Sequence, residues 1–187
     1  MNIKGLLITF AMVMLCCMPS FAAYADNFSR DCDIKNALVL LERVGANEVF
    51  QNLEENAVKI NFYDLSQISY EYMNHFAINT VDSFGNRYIL INTKYKNASP
   101  EEIACIIAHE SFHKLKVATL EEETLATQKE AMYWNLLKKH NKVYAPSALL
   151  SRLDRIVQLD RDSSSNNNLI RKRISNSSFY REQLAIR

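Results

Sequence analysis

Hydrophobic positions along the chain predict five α-helices. In residues 33–44 they recur three or four positions apart, as on one face of a helix, and Gly45 ends the run. Ser99 and Thr119 each precede another such pattern and have Glu three positions later, which is the signature of a capping box. Pro100 suits the first helical position after Ser99. The predicted helices span residues 33–44, 46–55, 100–116, 120–140 and 147–160.

Three shorter stretches predict β-strands. Residues 57–63 alternate between apolar and polar side chains, which is typical of a strand with one buried face. Residues 76–81 and 87–93 are also rich in β-forming residues, and the Asp-Ser-Phe-Gly-Asn loop between them favours a hairpin. Because helices outweigh strands, we predict an α+β fold in which a small, mainly antiparallel sheet packs on a helical layer.

The first 25 residues have the features of a secretory signal peptide. Lys4 is followed by an apolar run at residues 5–15, and Ala23-Tyr24-Ala25 is an A-x-A cleavage pattern. We therefore predict cleavage after Ala25 and a periplasmic or secreted protein; an uncleaved N-terminal anchor is the alternative. The apolar run is too short to span a bilayer and no second long run follows, so no stable membrane span is expected after cleavage.

Residues 26–162 are predicted to form one domain, and residues 163–187 a polar linker with a basic tail. The linker consists of three Ser and three Asn residues, and Arg171, Lys172 and Arg173 follow it. This tail is either a partly ordered terminus in solvent or a contact for an anionic surface or a partner. The whole chain has 22 Lys and Arg against 21 Asp and Glu, and this balance predicts no nucleic-acid partner.

Two cysteines, Cys32 and Cys105, remain after signal-peptide cleavage. Outside the cytoplasm they either form a disulfide, which would join the first helix to helix 100–116, or stay as two buried thiols. No C-x-x-C spacing is present, which argues against a zinc site built from Cys and His.

The strongest chemical signal is His109-Glu110-Ser111-Phe112-His113, an H-E-x-x-H pattern inside predicted helix 100–116. Residues four apart lie one above the other on a helix, so both imidazoles can reach a single zinc ion. Glu110 points to one side, where it can act as the catalytic base that takes a proton from the attacking water. The alternative is a buried histidine pair that is satisfied by hydrogen bonds.

A catalytic zinc site of this kind needs a third protein ligand and an open position. We predict Glu123, because it shares a helix face with the small Ala126, which allows helix 120–140 to approach the histidines closely. Glu122 is the second candidate, although its position in the first turn predicts a capping role. Glu130 lies on the face of Glu123 and is a third candidate, a group that orients a histidine, or, as is more usual, a carboxylate in solvent.

The order of these features resembles the zincin metallopeptidases, in particular the gluzincins, over residues 76–134. It consists of a strand, a Ser-Pro-Glu-Glu helix start, the H-E-x-x-H helix and an E-x-x-A pattern from Glu123 to Ala126. The chain differs from the family in a short connection between His113 and Glu123, and in Thr127 where the family has Asp. The resemblance implies Zn2+ as cofactor, and a peptide or protein substrate that adds to the sheet along edge strand 87–93.

The predicted function is therefore zinc-dependent hydrolysis of peptide bonds outside the cytoplasm. Tyr133, His140 and Tyr144 are candidates for stabilising the oxyanion. A function of a different class is a non-catalytic metal-binding or partner-binding domain that keeps a zincin shape, and the intact Glu110 argues against it. The third interpretation is a helical interaction protein that acts through its tail.

Overall fold

The computed structural model describes residues 24–114, 118–139, 142–164 and 167–177 of the 187-residue chain. Most of the predicted signal peptide and the end of the tail lie outside these residues. No helix in the described part is both long and apolar enough to cross a membrane. The elements that lie wholly within it are α1 (Cys32–Arg43), α2 (Asn47–Glu55), β1 (Lys59–Tyr63), β2 (Ala77–Val81), β3 (Arg87–Asn92), α3 (Pro100–Ser111), α4 (Leu120–Leu137), α5 (Ala148–Arg161) and α6 (Leu169–Asn176).

The α+β prediction is confirmed, but the sheet is mixed and not mainly antiparallel. Its strand order is β1-β3-β2; β3 pairs with β2 antiparallel, as the predicted hairpin, and with β1 parallel. Two 3-10 turns, Leu65–Gln67 and Tyr70–Asn74, occur in the connection from β1 to β2 and carry the chain to the opposite side of β3. The prediction of an edge strand at 87–93 is therefore wrong, because both sides of β3 are paired.

Helix α3 is the centre of the fold. It packs on α1 and α4, and it also contacts both β2 and β3. Every residue from Glu101 to Ser111 is buried, because the run from Ile103 to Ala108 is apolar on all sides and other elements surround it. The predicted capping box is confirmed: the Ser99 hydroxyl accepts a hydrogen bond from the Glu102 N–H, and the Glu102 carboxylate accepts one from the Ser99 N–H.

Helix α3 ends at Ser111, earlier than the predicted end near residue 116. The next two N–H groups bond three residues back instead of four: Phe112 donates to the His109 carbonyl and His113 to the Glu110 carbonyl. The last turn is therefore tightened, as is common at helix ends. As a result, the first histidine of the motif lies inside the helix and the second lies just beyond it.

Two further predictions concern the cysteines and the tail. Both cysteines are free thiols, so the disulfide alternative is not realised; of the two buried thiols in the other alternative, Cys105 is buried but Cys32 is exposed. Within the predicted tail, α6 packs on α4 and buries Ile170 and Ile174. This stretch is thus part of the packed structure, and not a solvated terminus.

Candidate metal centre

The two histidines of the motif face each other at the end of α3. Nε2 of His109 and Nε2 of His113 are 3.2 Å apart, and both side chains are buried. Two nitrogens bound to one tetrahedral zinc ion at its usual bond length are about 3.3 Å apart. The rings thus already have the separation that a shared ion requires. The tightened turn does not separate them.

Glu123 from α4 completes a triangle with the two rings. One of its carboxylate oxygens is 3.4 Å from Nε2 of His113, and the other is 3.7 Å from Nε2 of His109. In the described part of the chain, these three residues are the group of His, Cys, Asp or Glu side chains whose ligand atoms are close enough to hold a metal ion. The structure therefore brings together the three residues for which metal binding is predicted, and the donor set of two imidazoles and one carboxylate suits zinc.

Glu130 holds the first histidine from its other side. Its carboxylate lies 3.0 Å from Nδ1 of His109, and its second oxygen accepts from the guanidinium of Arg152 on α5. Glu130 is 1% exposed. Because Nδ1 is occupied by this hydrogen bond, Nε2 is the nitrogen that faces Glu123 and His113. Glu130 is thus placed to orient a histidine and not to bind the ion.

Glu122 lies beside the second histidine in a looser arrangement. One of its oxygens is 3.6 Å from Nδ1 of His113, which is longer than a hydrogen bond. The other oxygen accepts a hydrogen bond of 2.6 Å from the Lys114 N–H. The Thr119 hydroxyl caps α4 as predicted, but the Glu122 side chain turns to Lys114 instead of completing a capping box. Glu122 therefore lies on the Nδ1 side of the ring, away from the face that Glu123 occupies.

The charges in this cluster follow from burial and from these pairings. Burial alone would lower the pKa of His109, but Glu130 outweighs it and raises this pKa to about 9. Burial and the charge of His109 lower the pKa of His113 to about 4, so its ring is neutral at physiological pH. Burial would raise the pKa of Glu130, yet Arg152 and His109 together lower it to about 2. Histidine binds a metal as the neutral imidazole, so His113 is already in this state, whereas His109 would have to release a proton on metal binding.

Glu110, the predicted base, is buried in the same cluster. Burial raises the pKa of its carboxyl to about 7, against the opposing effect of the His109 charge. A carboxyl whose pKa is close to neutral can both accept and return a proton near physiological pH. The acidity of the Glu110 carboxyl therefore suits proton transfer.

Of the candidate oxyanion donors, Tyr133 and Tyr144 contact residues outside this cluster. The Tyr144 hydroxyl accepts a hydrogen bond from the Lys139 N–H, and its ring packs on Trp134. Tyr133 is buried near Glu48 of α2. His140 lies outside the described residues. His75, before β2, is close enough to Glu123 for their charges to interact; burial nevertheless lowers its pKa.

Sequence patterns alone did not single out Arg152, Asn79 or Arg87, which contact the motif or its neighbours. Arg152 falls on the apolar stripe of α5 with Leu149, Leu153 and Ile156, and a charge on a core-facing stripe signals a buried ion pair. Asn79 and Arg87 fall on the inner face of their strands, and both donate hydrogen bonds to the backbone of the His113 segment. In the sequence, a polar residue at an inward-facing strand position could have indicated that Asn79 and Arg87 bind another part of the chain.

Comparison of the chain with protein-family models, with curated proteins and with solved structures finds no match. In the structure, a sheet lies beside the H-E-x-x-H helix, and the next helix supplies a glutamate close to the two histidines. Next to the site, an open cavity of about 570 Å3 has Phe112, Lys114 and Glu122 among its lining residues. This cavity borders the segment that carries His113, but neither histidine nor Glu123 is among its lining residues.

Proposed function

We propose that this protein is an exported zinc-dependent peptidase in which His109, His113 and Glu123 hold the metal and Glu110 is the catalytic base. The observation that carries this proposal is the triangle of ligand atoms, with edges of 3.2, 3.4 and 3.7 Å. Two of these residues come from one end of α3 and the third from the next helix, and all three are buried. Such convergence of donor atoms is what a zinc ion needs.

Glu110 performs the proton transfers in this proposal. Zinc, when bound, polarises a carbonyl group and makes water a stronger acid. Glu110 accepts one proton from the water whose oxygen bonds to the peptide carbonyl carbon. It then returns that proton to the leaving amine as the C–N bond breaks, so that the enzyme ends in its starting state. The other proton leaves with the products, an acid and an amine.

We assign the substrate to the open edge of β2, which replaces the edge strand expected from the sequence. Asn79 of β2 reaches the backbone of Glu110 and His113, and His75 precedes the strand near Glu123. In the described part of the sheet, β2 pairs with β3 alone. An extended peptide that added to its free edge would run beside the metal site and gain main-chain hydrogen bonds.

The proposal is tested by separating zinc content from turnover. We expect purified wild-type protein to bind one zinc ion and cleave members of a peptide library. Glu110→Gln should keep the zinc and lose about 10²–10⁴-fold in turnover, since only the base is removed. His113→Ala should lose the zinc as well. Glu121→Gln makes the same chemical change at an exposed position of α4 and should leave both properties as in wild type.

Two results would contradict this assignment. If Glu110→Gln cleaved peptides at the wild-type rate, Glu110 would not be the catalytic base. A wild-type protein that binds zinc but cleaves no peptide in the library would favour a non-catalytic metal-binding domain instead.

A further inference from the structure

We propose that the β2–β3 hairpin is the structure that fixes His113 for metal binding, through the side chains of Asn79 and Arg87. This inference rests on the proposed zinc site and adds two positioning residues that never touch the ion. It explains how a ligand that lies outside its helix keeps the same geometry as one that lies inside.

His113 needs support because α3 has ended before it. The carbonyl groups of the last helical turn have no partner within the helix. The Glu110 carbonyl accepts a three-residue bond of 3.2 Å from the His113 N–H, and the His113 carbonyl lies beyond the end of the helix. A short turn of this kind is easily displaced unless other groups bind its carbonyls.

Asn79 provides these hydrogen bonds from the middle of β2. Its Nδ2 donates to the Glu110 carbonyl at 3.0 Å and to the His113 carbonyl at 3.2 Å. Carbonyl oxygens only accept, so the amide must present its NH2 group to them, and this fixes its orientation. One side chain thus ties the catalytic base and the second histidine to the sheet through their backbones.

Arg87 supports the same segment from the neighbouring strand. Its guanidinium donates to the His113 carbonyl at 3.3 Å and to the Lys114 carbonyl at 2.9 Å. Arg87 is the first residue of β3 and pairs with Val81. The hairpin loop before it is closed by Asp82, whose carboxylate accepts from the Phe84 and Asn86 N–H groups. Arg87 therefore extends from a well-defined backbone.

Small displacements of His113 would be enough to weaken metal binding. The Nε2 atoms of the two histidines are 3.2 Å apart, and a bound ion tolerates errors of only about 0.5 Å in its ligands. Loss of the hairpin contacts would release His113 while leaving His109 in its helix. The expected effect is therefore on metal affinity, which can be measured without substrate and so without proton transfer by Glu110.

The decisive measurement is the zinc dissociation constant by competition with a chelator, in the absence of substrate. Asn79→Asp keeps the shape of the side chain but replaces its donors with a carboxylate, and we expect it to weaken zinc binding about 10- to 100-fold. Arg87→Ala, which removes more exposed contacts, should fall near the lower end of that range. The matched controls are Asn61→Ala on the exposed face of β1 and Arg155→Ala on the surface of α5, and both should bind zinc as wild type does.

Co2+ in place of zinc gives a readout that a merely structural role would not change. Asn79→Asp should shift the visible absorption bands of the Co2+ protein, whereas Asn61→Ala should not. Unchanged zinc affinity in both Asn79→Asp and Arg87→Ala would overturn the inference while leaving the zinc site intact. If Asn79→Asp fails to fold, Arg87→Ala alone decides in the same way. Absence of zinc binding by wild type would instead remove the proposed function, and this inference with it.

Discussion

His109 and His113 are both proposed to bind the metal, but different parts of the structure hold them in place. His109 lies inside α3, and its Nδ1 is held by a carboxylate that is itself paired with Arg152 in the core. His113 lies beyond the helix, where hairpin side chains hold its backbone and Glu122 stands 3.6 Å from its ring. The proposed ligand His109 is fixed through its ring by the Glu130–Arg152 pair, and His113 through its main chain by side chains of the hairpin.

This difference separates folding from metal binding. The Glu130–Arg152 pair joins α4 to α5 in the interior, so the fold and the first histidine depend on the same two charges. The contacts of His113 involve the end of α3, the hairpin and the start of α4. Changes at the Glu130–Arg152 pair should therefore lower both the unfolding free energy and the zinc affinity. Changes in the contacts of His113 should lower the zinc affinity with little loss of unfolding free energy.

Glu130→Gln should give the largest effect. Gln turns an NH2 group or an uncharged oxygen towards Arg152, so the partly buried guanidinium loses the charge of Glu130. Breaking a buried ion pair by removing one partner costs about 3–5 kcal/mol. We expect a loss of unfolding free energy of about 3 kcal/mol in urea titration of the chelator-treated protein, and zinc binding weakened about 10- to 100-fold.

The double variant Glu130→Gln with Arg152→Met tests the cause of that loss. Removing both charges should restore part of the stability, because the guanidinium is removed together with its partner, but it should not restore the zinc affinity. Glu121→Gln is the matched control, since its partner Arg171 and its own side chain are both exposed, and it should cost less than about 1 kcal/mol. If Glu130→Gln and Glu121→Gln lost the same unfolding free energy, the buried pair beside His109 would not contribute more to stability than an exposed pair, and the contrast with His113 would fail.

Glu122→Gln should have a smaller effect, confined to affinity. Gln can still accept the hydrogen bond from the Lys114 N–H, so the local backbone stays in place. Only the negative charge near the His113 ring is lost, at a distance longer than a hydrogen bond. We expect zinc binding to weaken by well under about tenfold and the urea midpoint to stay close to that of wild type. A larger loss of affinity than in Glu130→Gln would show that the ring of His113 is held through Glu122, and not through its backbone.

The sequence predicted those parts of the molecule that local patterns determine. The helix starts at Ser99 and Thr119, the hairpin and the H-E-x-x-H spacing all depend on residues within a few positions of each other. The face of α4 that carries Glu123 and Glu130 could also be derived, because helical periodicity is regular. Residues seven positions apart return to the same side of a helix, and both glutamates do reach the histidines.

The remaining features depend on partners distant in sequence. The parallel pairing of β1 with β3 depends on how the chain returns after β1, and a one-dimensional pattern does not specify this. At the early end of α3, the hairpin residues Asn79 and Arg87 donate to carbonyls that a longer helix would have used. Glu130 provides the carboxylate near His109 although Thr127 stands where the resemblance expects Asp, and its role depends on Arg152 from another helix.

The smallest predicted effect concerns Glu101, a buried, ion-paired carboxylate at the opposite end of α3 from the histidines. Its side chain is 3% exposed and lies 2.7 Å from the ammonium group of Lys142, which is partly exposed. Burial would raise the pKa of Glu101, but the hydrogen bond and charge of Lys142 lower it below its usual value. A group with a depressed folded-state pKa stabilises the protein above its unfolded pKa, near 4.5, and loses that contribution as the pH falls through the folded value.

Glu101→Gln should therefore reduce the unfolding free energy by about 1 kcal/mol at neutral pH, and this difference from wild type should shrink as the pH falls below about 4.5. Zinc affinity should stay at the wild-type value, because Glu101 touches neither histidine nor any group that orients one. Urea titrations at several pH values, paired with chelator competition at neutral pH, measure both quantities. A Glu101→Gln protein that bound zinc as weakly as Glu130→Gln would mean that any buried charge in α3 or α4 controls the site through overall stability. The specific contact between Glu130 and His109 would then lose its role.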